Sequence, residues 1–341
     1  MIRAAVARAL ERGALRGSIA RAAAGVWEAR ADVVREVPLP SGTAVIGVGG
    51  ATLGGSYKTP LTLALSLALG RRGAVSVVGH GYGARVRAPR VVLPADDAAG
   101  VGDDAAWLAR ALAGAGIPVV VGEREAALAE ASRAAAVVVV DGMLQALPRP
   151  LTLSLLAVDA ARPWGSDACP PAGDRRASRA ALLGATDAVV AVRDAGEDAA
   201  GEAPGAAAGR DALAAMASVV PVFTASSEVT VVLPGGRHAP LTELRDARVG
   251  VVLAVARADR ILRTLRARGV RPAETRLFAD HAFPRERGGR RRVDLWLTTP
   301  KCATKLGDAY EGATVAEVRQ SLTLPDALLA LCAEVLPASR R

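Results

Sequence analysis

The sequence predicts an α/β fold: a parallel sheet covered by helices on both faces, a second and smaller α/β lobe, and a basic helix at the N-terminus. Three observations carry that reading. Short apolar runs alternate with helix-length segments along most of the chain, the pattern of strand–helix–strand units with parallel strands. A glycine-rich turn joins the first of these strands to the helix after it. The 341 residues leave room for about two domains at ~150 residues each. The N-terminal helix is expected within 1–36, the first lobe at 37–210 and the second at 211–341.

Taken in order, the helical N-terminal residues give way at the punctuation of 38–42 to an apolar strand at 43–48. A glycine-rich loop, 49–57, leads into a helix at 58–71. A short strand at 75–78 ends in Gly79-His80-Gly81-Tyr82-Gly83. Helix 103–115, strand 119–121, helix 123–133 and strand 136–140 follow, then strands at 151–158 and 188–192. The Ala/Gly/acid stretch 194–209 reads as a linker. Beyond it come strands near 219–223 and 249–254, a helix at 259–268, a strand at 295–299 and a closing helix at 325–336.

Composition narrows the function. With 51% hydrophobic and 23% charged residues, the chain can bury a core, and wholesale disorder is excluded. Four Trp, three Tyr and three Phe are too few for a base-stacking surface, so nucleic acid is not the expected partner. Cys169, Cys302 and Cys332 lack C-x-x-C spacing, which excludes a disulfide scaffold or zinc knuckle and suits a reducing cytoplasm. No segment reads as a spanning helix, and the N-terminal charges leave no signal-peptide core.

The net charge of +9 points to an anionic membrane, phosphates or nucleic acid. It is concentrated in two places. Arg8, Arg12 and Arg16 form an i, i+4 stripe, with Ile2, Val6 and Leu10 on another face, an interfacial-helix pattern interrupted by Gly13 and Gly17. The second concentration is 285–292. A solvated basic face explains either one equally well. Among 43 basic residues only Lys58, Lys301 and Lys305 are lysines.

The loop Gly54-Gly55-Ser56-Tyr57-Lys58-Thr59 lies between a strand and a helix, as phosphate binding requires. Backbone N–H groups face the anion, a Lys reaches the β/γ-phosphates and a Thr hydroxyl ligates Mg²⁺. The fold expected is therefore P-loop NTPase-like, with Gly54, Gly55, Ser56, Lys58 and Thr59 binding nucleotide. Strict G-x-x-x-x-G-K-[ST] is not met, because Thr52 and Tyr57 occupy the glycine positions. A side chain at 57 threatens to crowd the phosphate. A compact ammonium suits such a cradle better than a planar guanidinium, which gives Lys58 a reason to resist replacement by Arg.

From this loop onward the chain resembles the tetraacyldisaccharide 4'-kinases, the lipid A 4'-kinases of Gram-negative bacteria. Val48 to Pro60 follows that family's V-G-N-x-T-x-G-G-T-G-K-T-P without a gap. Gly79 to Gly83 resembles S-R-G-Y-G, Val101-Gly102-Asp103-Asp104 resembles V-G-D-E, and 119–124 resembles V-V-V-G-x-x-R with one residue fewer before the Arg. Asp159-Ala160 and Pro171-Ala172-Gly173 match V-D-A and P-A-G. In the second lobe 278–281 resembles F-P-D-H-H, and 299–306 resembles T-E-K-D-A-V-K-L.

The resemblance implies Mg²⁺- and ATP-dependent phosphorylation of the 4'-hydroxyl of a lipid A disaccharide 1-phosphate precursor. It places the protein peripherally at the cytoplasmic face of the inner membrane, on an anionic surface, with no obligate protein partner. By position Asp103 is the catalytic base, with His281 its dyad partner, and Thr59, Asp104 and Asp141 serve the metal. Taken alone, Asp103 and Asp104 read as acids opening a helix, His281 as a structural histidine and Arg124 as a surface residue.

The departures lie inside motifs. Against D-D-G-[FL]-Q-H the chain has Val140-Asp141-Gly142-Met143-Leu144-Gln145-Ala146, so one of two acids is missing in either alignment. His80 stands for an Arg, Cys302 for an Asp and Pro300 for a Glu. The departures at Tyr57, Gly142 and His80 support a competing reading of another class: a degenerate homologue that binds membrane or glycolipid without phosphoryl transfer. A third, an unrelated P-loop NTPase, requires the second-lobe matches to be accidental.

Overall fold

The computed structural model describes the chain except for residues 1, 34–37, 39, 82–83, 85, 145–151, 195–205, 287–291 and 337–341. Two helices, α1 (Ile2–Glu11) and α2 (Ser18–Ala31), come first. They are separated at Gly13, whose backbone turns left-handed (φ 58°), so the expected single N-terminal helix is two. The chain continues as β1 (Ala44–Gly50), α3 (Lys58–Gly70), β2 (Val75–Val78), β3 (Arg90–Val92), α4 (Ala98–Val101) and α5 (Asp103–Leu112). It continues with β4 (Val119–Val121), α6 (Arg124–Ser132), β5 (Val137–Asp141), β6 (Leu153–Asp159), α7 (Arg179–Gly184), β7 (Ala188–Asp194) and α8 (Ala206–Ala217).

The remainder comprises β8 (Val222–Val232), β9 (His238–Pro240), β10 (Val249–Leu253), α9 (Ala258–Ala267), β11 (Glu274–Leu277) and β12 (Leu295–Thr298). It closes with α10 (Pro300–Leu306), β13 (Ala309–Tyr310), β14 (Ala313–Thr323) and α11 (Asp326–Glu334). Part of the stretch read as a linker is thus helical from Ala206. Asp194 of that stretch ends β7, and 195–205, with most of the 285–292 cluster, lies outside the described residues.

All these strands join one sheet in the order β11-β10-β12-β14-β8-β7-β6-β1-β5-β2-β4-β3, with β13 on β14 and β9 on β8. Most neighbours are parallel. The sheet is nevertheless mixed, because β8 pairs with β14 antiparallel over seven residues, and β3–β4, β8–β9 and β13–β14 are also antiparallel. The sequence reading missed β14 and most of β8. Their residues alternate between buried and exposed, so neither reads as a continuous apolar run.

β1 is buried along its whole length, as a central parallel strand covered on both faces must be. It lies between β5 and β6, with Val48 opposite Asp141. The loop after β1 and the end of β5 therefore emerge side by side at the carboxyl edge, where open α/β sheets bind ligands. Leu61, Leu65 and Leu69 of α3 pack into the core beneath it, together with Leu328 and Cys332 of α11. A separate apolar cluster around Val251, Leu253, Leu265 and Leu297 supports the second half of the sheet.

Candidate active site

The strand runs on to Gly50, so the phosphate loop proper is 51–57. Gly50 admits no side chain: a Cβ there would stand 1.9 Å from the Ser56 hydroxyl. Gly55 (φ 71°) and Tyr57 (φ 63°) both take left-handed backbone, at a cost of about 1–2 kcal/mol for a residue with a Cβ. Tyr57 does not crowd the cradle. Its ring is buried in the apolar core that also holds Leu61 and Leu65, and its hydroxyl donates to Asp194 Oδ1 at 3.0 Å. Among the described residues no hydrogen bond engages the N–H groups of Gly55, Ser56, Tyr57 or Lys58, and the buried Ser56 hydroxyl has no partner. Unspent donors at the start of a helix are what an anion requires, so the loop fits a phosphate group.

Lys58 and Thr59 begin α3. Burial and the neighbouring Arg176 guanidinium lower the Lys58 pKa, against the opposing pull of Asp141 and Asp104. The Thr59 hydroxyl donates to Asp141 Oδ2 at 2.9 Å and lies 3.4 Å from Asp104 Oδ1. Thr59, Asp104 and Asp141 thus form an all-oxygen group, the donor set a hard divalent cation takes. Burial, reinforced by the charge of Asp104, pushes the Asp141 carboxyl up to about 6, while Lys58 and the Thr59 hydrogen bond oppose the rise. The missing acid has a local counterpart. Gly142 is left-handed (φ 82°), and a Cβ there would stand 3.1 Å from the His80 ring.

Asp103 and Asp104 open α5 behind Gly102, itself left-handed (φ 92°). Asp103 is buried, and His281 Nδ1 lies 2.8 Å from its Oδ1 although 178 residues separate the two. The C-terminal part of the chain also supplies α10, whose two lysines meet these acids. Lys305 donates to Asp103 Oδ2 at 2.7 Å, and Lys301 donates to Asp104 Oδ2 at 3.0 Å and to Asp280 Oδ1 at 3.4 Å. Burial alone would raise the Asp103 carboxyl. The His281 hydrogen bond and the Lys301 and Lys305 ammonium groups outweigh it and hold the carboxyl well below the usual carboxylate range. Lys301 is pushed up despite burial by Asp104, Asp280 and Asp103. Asp103, Asp104 and His281 each offer an atom within 4.8 Å of the others.

The structure therefore brings together Gly54 to Thr59, Asp103, Asp104, Asp141 and His281. It adds residues that sequence reasoning missed. Lys301 and Lys305 had a usable signal, since every lysine in the chain is at this one site. Arg124 is partly buried instead of a surface residue, and burial lowers its pKa. Burial also lowers Arg176 and His80, and each feels the charge of Arg124. With Lys58 these groups make a second positive neighbourhood beside the loop. Nothing in the sequence distinguished Arg176 from the many other arginines.

The model of the family described as tetraacyldisaccharide-1-P 4'-kinase, LpxK, matches residues 17–336. A tetraacyldisaccharide 4'-kinase of Nitrobacter winogradskyi is 37% identical over 247 residues, covering 71% of this chain and 67% of that protein. One from Anaeromyxobacter sp. (strain K) is 33% identical over 336 residues, covering 88% and 81%. A crystal structure of LpxK from Aquifex aeolicus, an "apo" form in complex with ATP, superposes with a TM-score of 0.62 at 18% identity. It covers 98% of this chain and all of that one, and so shares the fold. With the motifs in sequence order and relatives matching along nearly its whole length, the chain belongs to the tetraacyldisaccharide 4'-kinase family.

Proposed function

We propose that this chain transfers the γ-phosphoryl group of ATP to the 4'-hydroxyl of a lipid A tetraacyldisaccharide 1-phosphate precursor. The observation that carries the reading is the meeting of Asp103 and His281, from opposite lobes, beside a phosphate loop whose donors are unspent. In the reaction a bond forms between the acceptor oxygen and the γ-phosphorus as the bond to the β-phosphate oxygen breaks and ADP leaves. The acceptor proton passes to Asp103, whose carboxylate is oriented by His281 and Lys305. A carboxylate held this far below its usual range is a weak base. That suits a loose transition state, in which positioning and charge neutralisation do most of the catalysis.

Lys58 and the loop N–H groups hold the β- and γ-phosphates. Thr59, Asp104 and Asp141 would hold Mg²⁺, which would supply charge neutralisation of the phosphates. Lys301 shares Asp104 with that position. The chain works at the cytoplasmic face of the inner membrane, bound peripherally to its anionic surface. Val6, Leu15, Ile19 and Trp27 are exposed on or beside α1 and α2, next to the N-terminal arginines, and no helix among the described residues is long and apolar enough to cross a membrane. The two lobes, 37–210 and 211–341, supply the nucleotide loop and His281 respectively, with no obligate protein partner.

The test is conversion of the disaccharide 1-phosphate to a bis-phosphate by wild type with Mg·ATP in detergent micelles, read by mass spectrometry. Absence of turnover on verified substrate refutes the reading. The non-catalytic alternative loses one of its three supports once Tyr57 is taken up by the core, and calorimetric binding of Mg·ATP separates the two.

A further inference from the structure

Tyr57 breaks the glycine rule of its own loop, and the structure gives the ring a partner. The guanidinium of Arg260, on α9 of the second lobe, lies over it at 3.9 Å from the ring centroid. The same guanidinium donates to the Gly55 carbonyl at 2.8 Å and sits 3.5 Å from Asp159 Oδ2. The Tyr57 hydroxyl is fixed by Asp194, which Gln320 of β14 also holds at 3.2 Å. Arg260 is thus stacked, hydrogen-bonded and ion-paired, with its side chain 15% exposed.

The hydrogen bond to Gly55 has a directional consequence. In a trans peptide C=O and N–H point to opposite edges of one plane. Holding the Gly55 carbonyl toward Arg260 therefore turns the Ser56 N–H the other way, and that N–H has no partner among the described residues. We infer that Tyr57 and Arg260 are positioning residues for the phosphate loop: the aromatic ring is a platform for the guanidinium, which sets the Gly55–Ser56 peptide for phosphate and couples docking of the second lobe to nucleotide affinity. This rests on the kinase reading. It also explains why a strained tyrosine is held where glycine fits the backbone. A desolvated cation over an aromatic face, together with a charge-assisted hydrogen bond, offsets the left-handed strain.

The experiment is calorimetric titration of Mg·ATP, paired with KM and kcat for ATP and for the lipid acceptor. The variants are Tyr57→Phe, Tyr57→Gly, Arg260→Lys, Arg260→Met and the double variant Tyr57→Gly/Arg260→Met. Tyr57→Phe keeps the platform and binds nucleotide within about threefold of wild type. Tyr57→Gly relieves the backbone but removes the platform, and weakens nucleotide about tenfold. Arg260→Lys and Arg260→Met weaken it by a similar factor, while the acceptor KM stays unchanged. The double variant is no weaker than Arg260→Met alone, because the ring acts only through the guanidinium.

Tyr57→Gly binding Mg·ATP as tightly as wild type overturns the inference, whatever Arg260→Met does. So do single effects that add in the double variant, or a fall in melting temperature with unchanged nucleotide affinity. Wild type that binds no nucleotide overturns the kinase reading together with this one. Wild type that binds nucleotide while Tyr57→Gly binds it equally well overturns this one alone.

Discussion

Asp103 and Asp141 both border Asp104, yet their surroundings drive them in opposite directions. Asp141 is buried beside another acid and rises to about 6, so between the ordinary carboxylate range and that value the folded chain holds a proton that the unfolded chain releases. Stability contributed there is lost as pH rises through the window. Asp103 is depressed, so its contribution is full above its unfolded value and lost as pH falls below it. We expect Asp141→Asn to raise the melting temperature of the nucleotide-free protein at pH 8 and to change it little at pH 4, while weakening Mg·ATP binding. A destabilised variant at pH 8 would contradict the burial argument. Asp103→Asn should lower kcat about 10²- to 10⁴-fold with nucleotide affinity retained, whereas Lys58→Ala should abolish nucleotide binding, both read by calorimetry and turnover. Lys58 and Thr59 were legible from the glycine-rich turn itself, whereas Asp103 and Asp141 were singled out only by their place in the family's motifs. His281 was legible only through the family resemblance, since nothing within its own stretch of chain announces Asp103. Arg260 and Arg176 were not legible at all: their roles come from partners far away in sequence.

α10 shows how one short element arms the site. Thr299 caps it, accepting from the Cys302 N–H at 3.3 Å, and Pro300 takes the first helical position, where no N–H is needed. Lys301 and Lys305 then stand one turn apart on one face, opposite the acids that open α5. Thr299→Ala should cost about 1 kcal/mol in urea unfolding and lower kcat with little change in the nucleotide KM. Lys305→Met leaves Asp103 with one fewer buried partner and should destabilise by about 3 kcal/mol, measured in the same unfolding series. Elements with continuous apolar runs, such as β1, β5 and β10, were readable from sequence. β8 and β14 were not, because a strand with one wet face looks polar when only runs are counted.

The continuous sheet makes the molecule one mechanical body, through the antiparallel β8–β14 pair at its waist. α11 strengthens the tie, since it follows β14 yet packs Leu328 and Cys332 into the core beneath the phosphate loop. Removing residues 325–341 should therefore loosen the first lobe. Hydrogen exchange is expected to speed up in β1 and β2 more than in β10 and β12, and the opposite ranking would refute that tie. The alternation of strands and helices foretold the parallel strands, but the continuity of the sheet rests on the two strands that the sequence hid. The three lysines have a practical consequence at this scale. A chain grown with ¹⁵N-labelled lysine side chains would carry three ammonium resonances, and all three belong to the candidate site. One spectrum, free of background from the rest of the protein, would then register nucleotide, metal and acceptor arriving in turn.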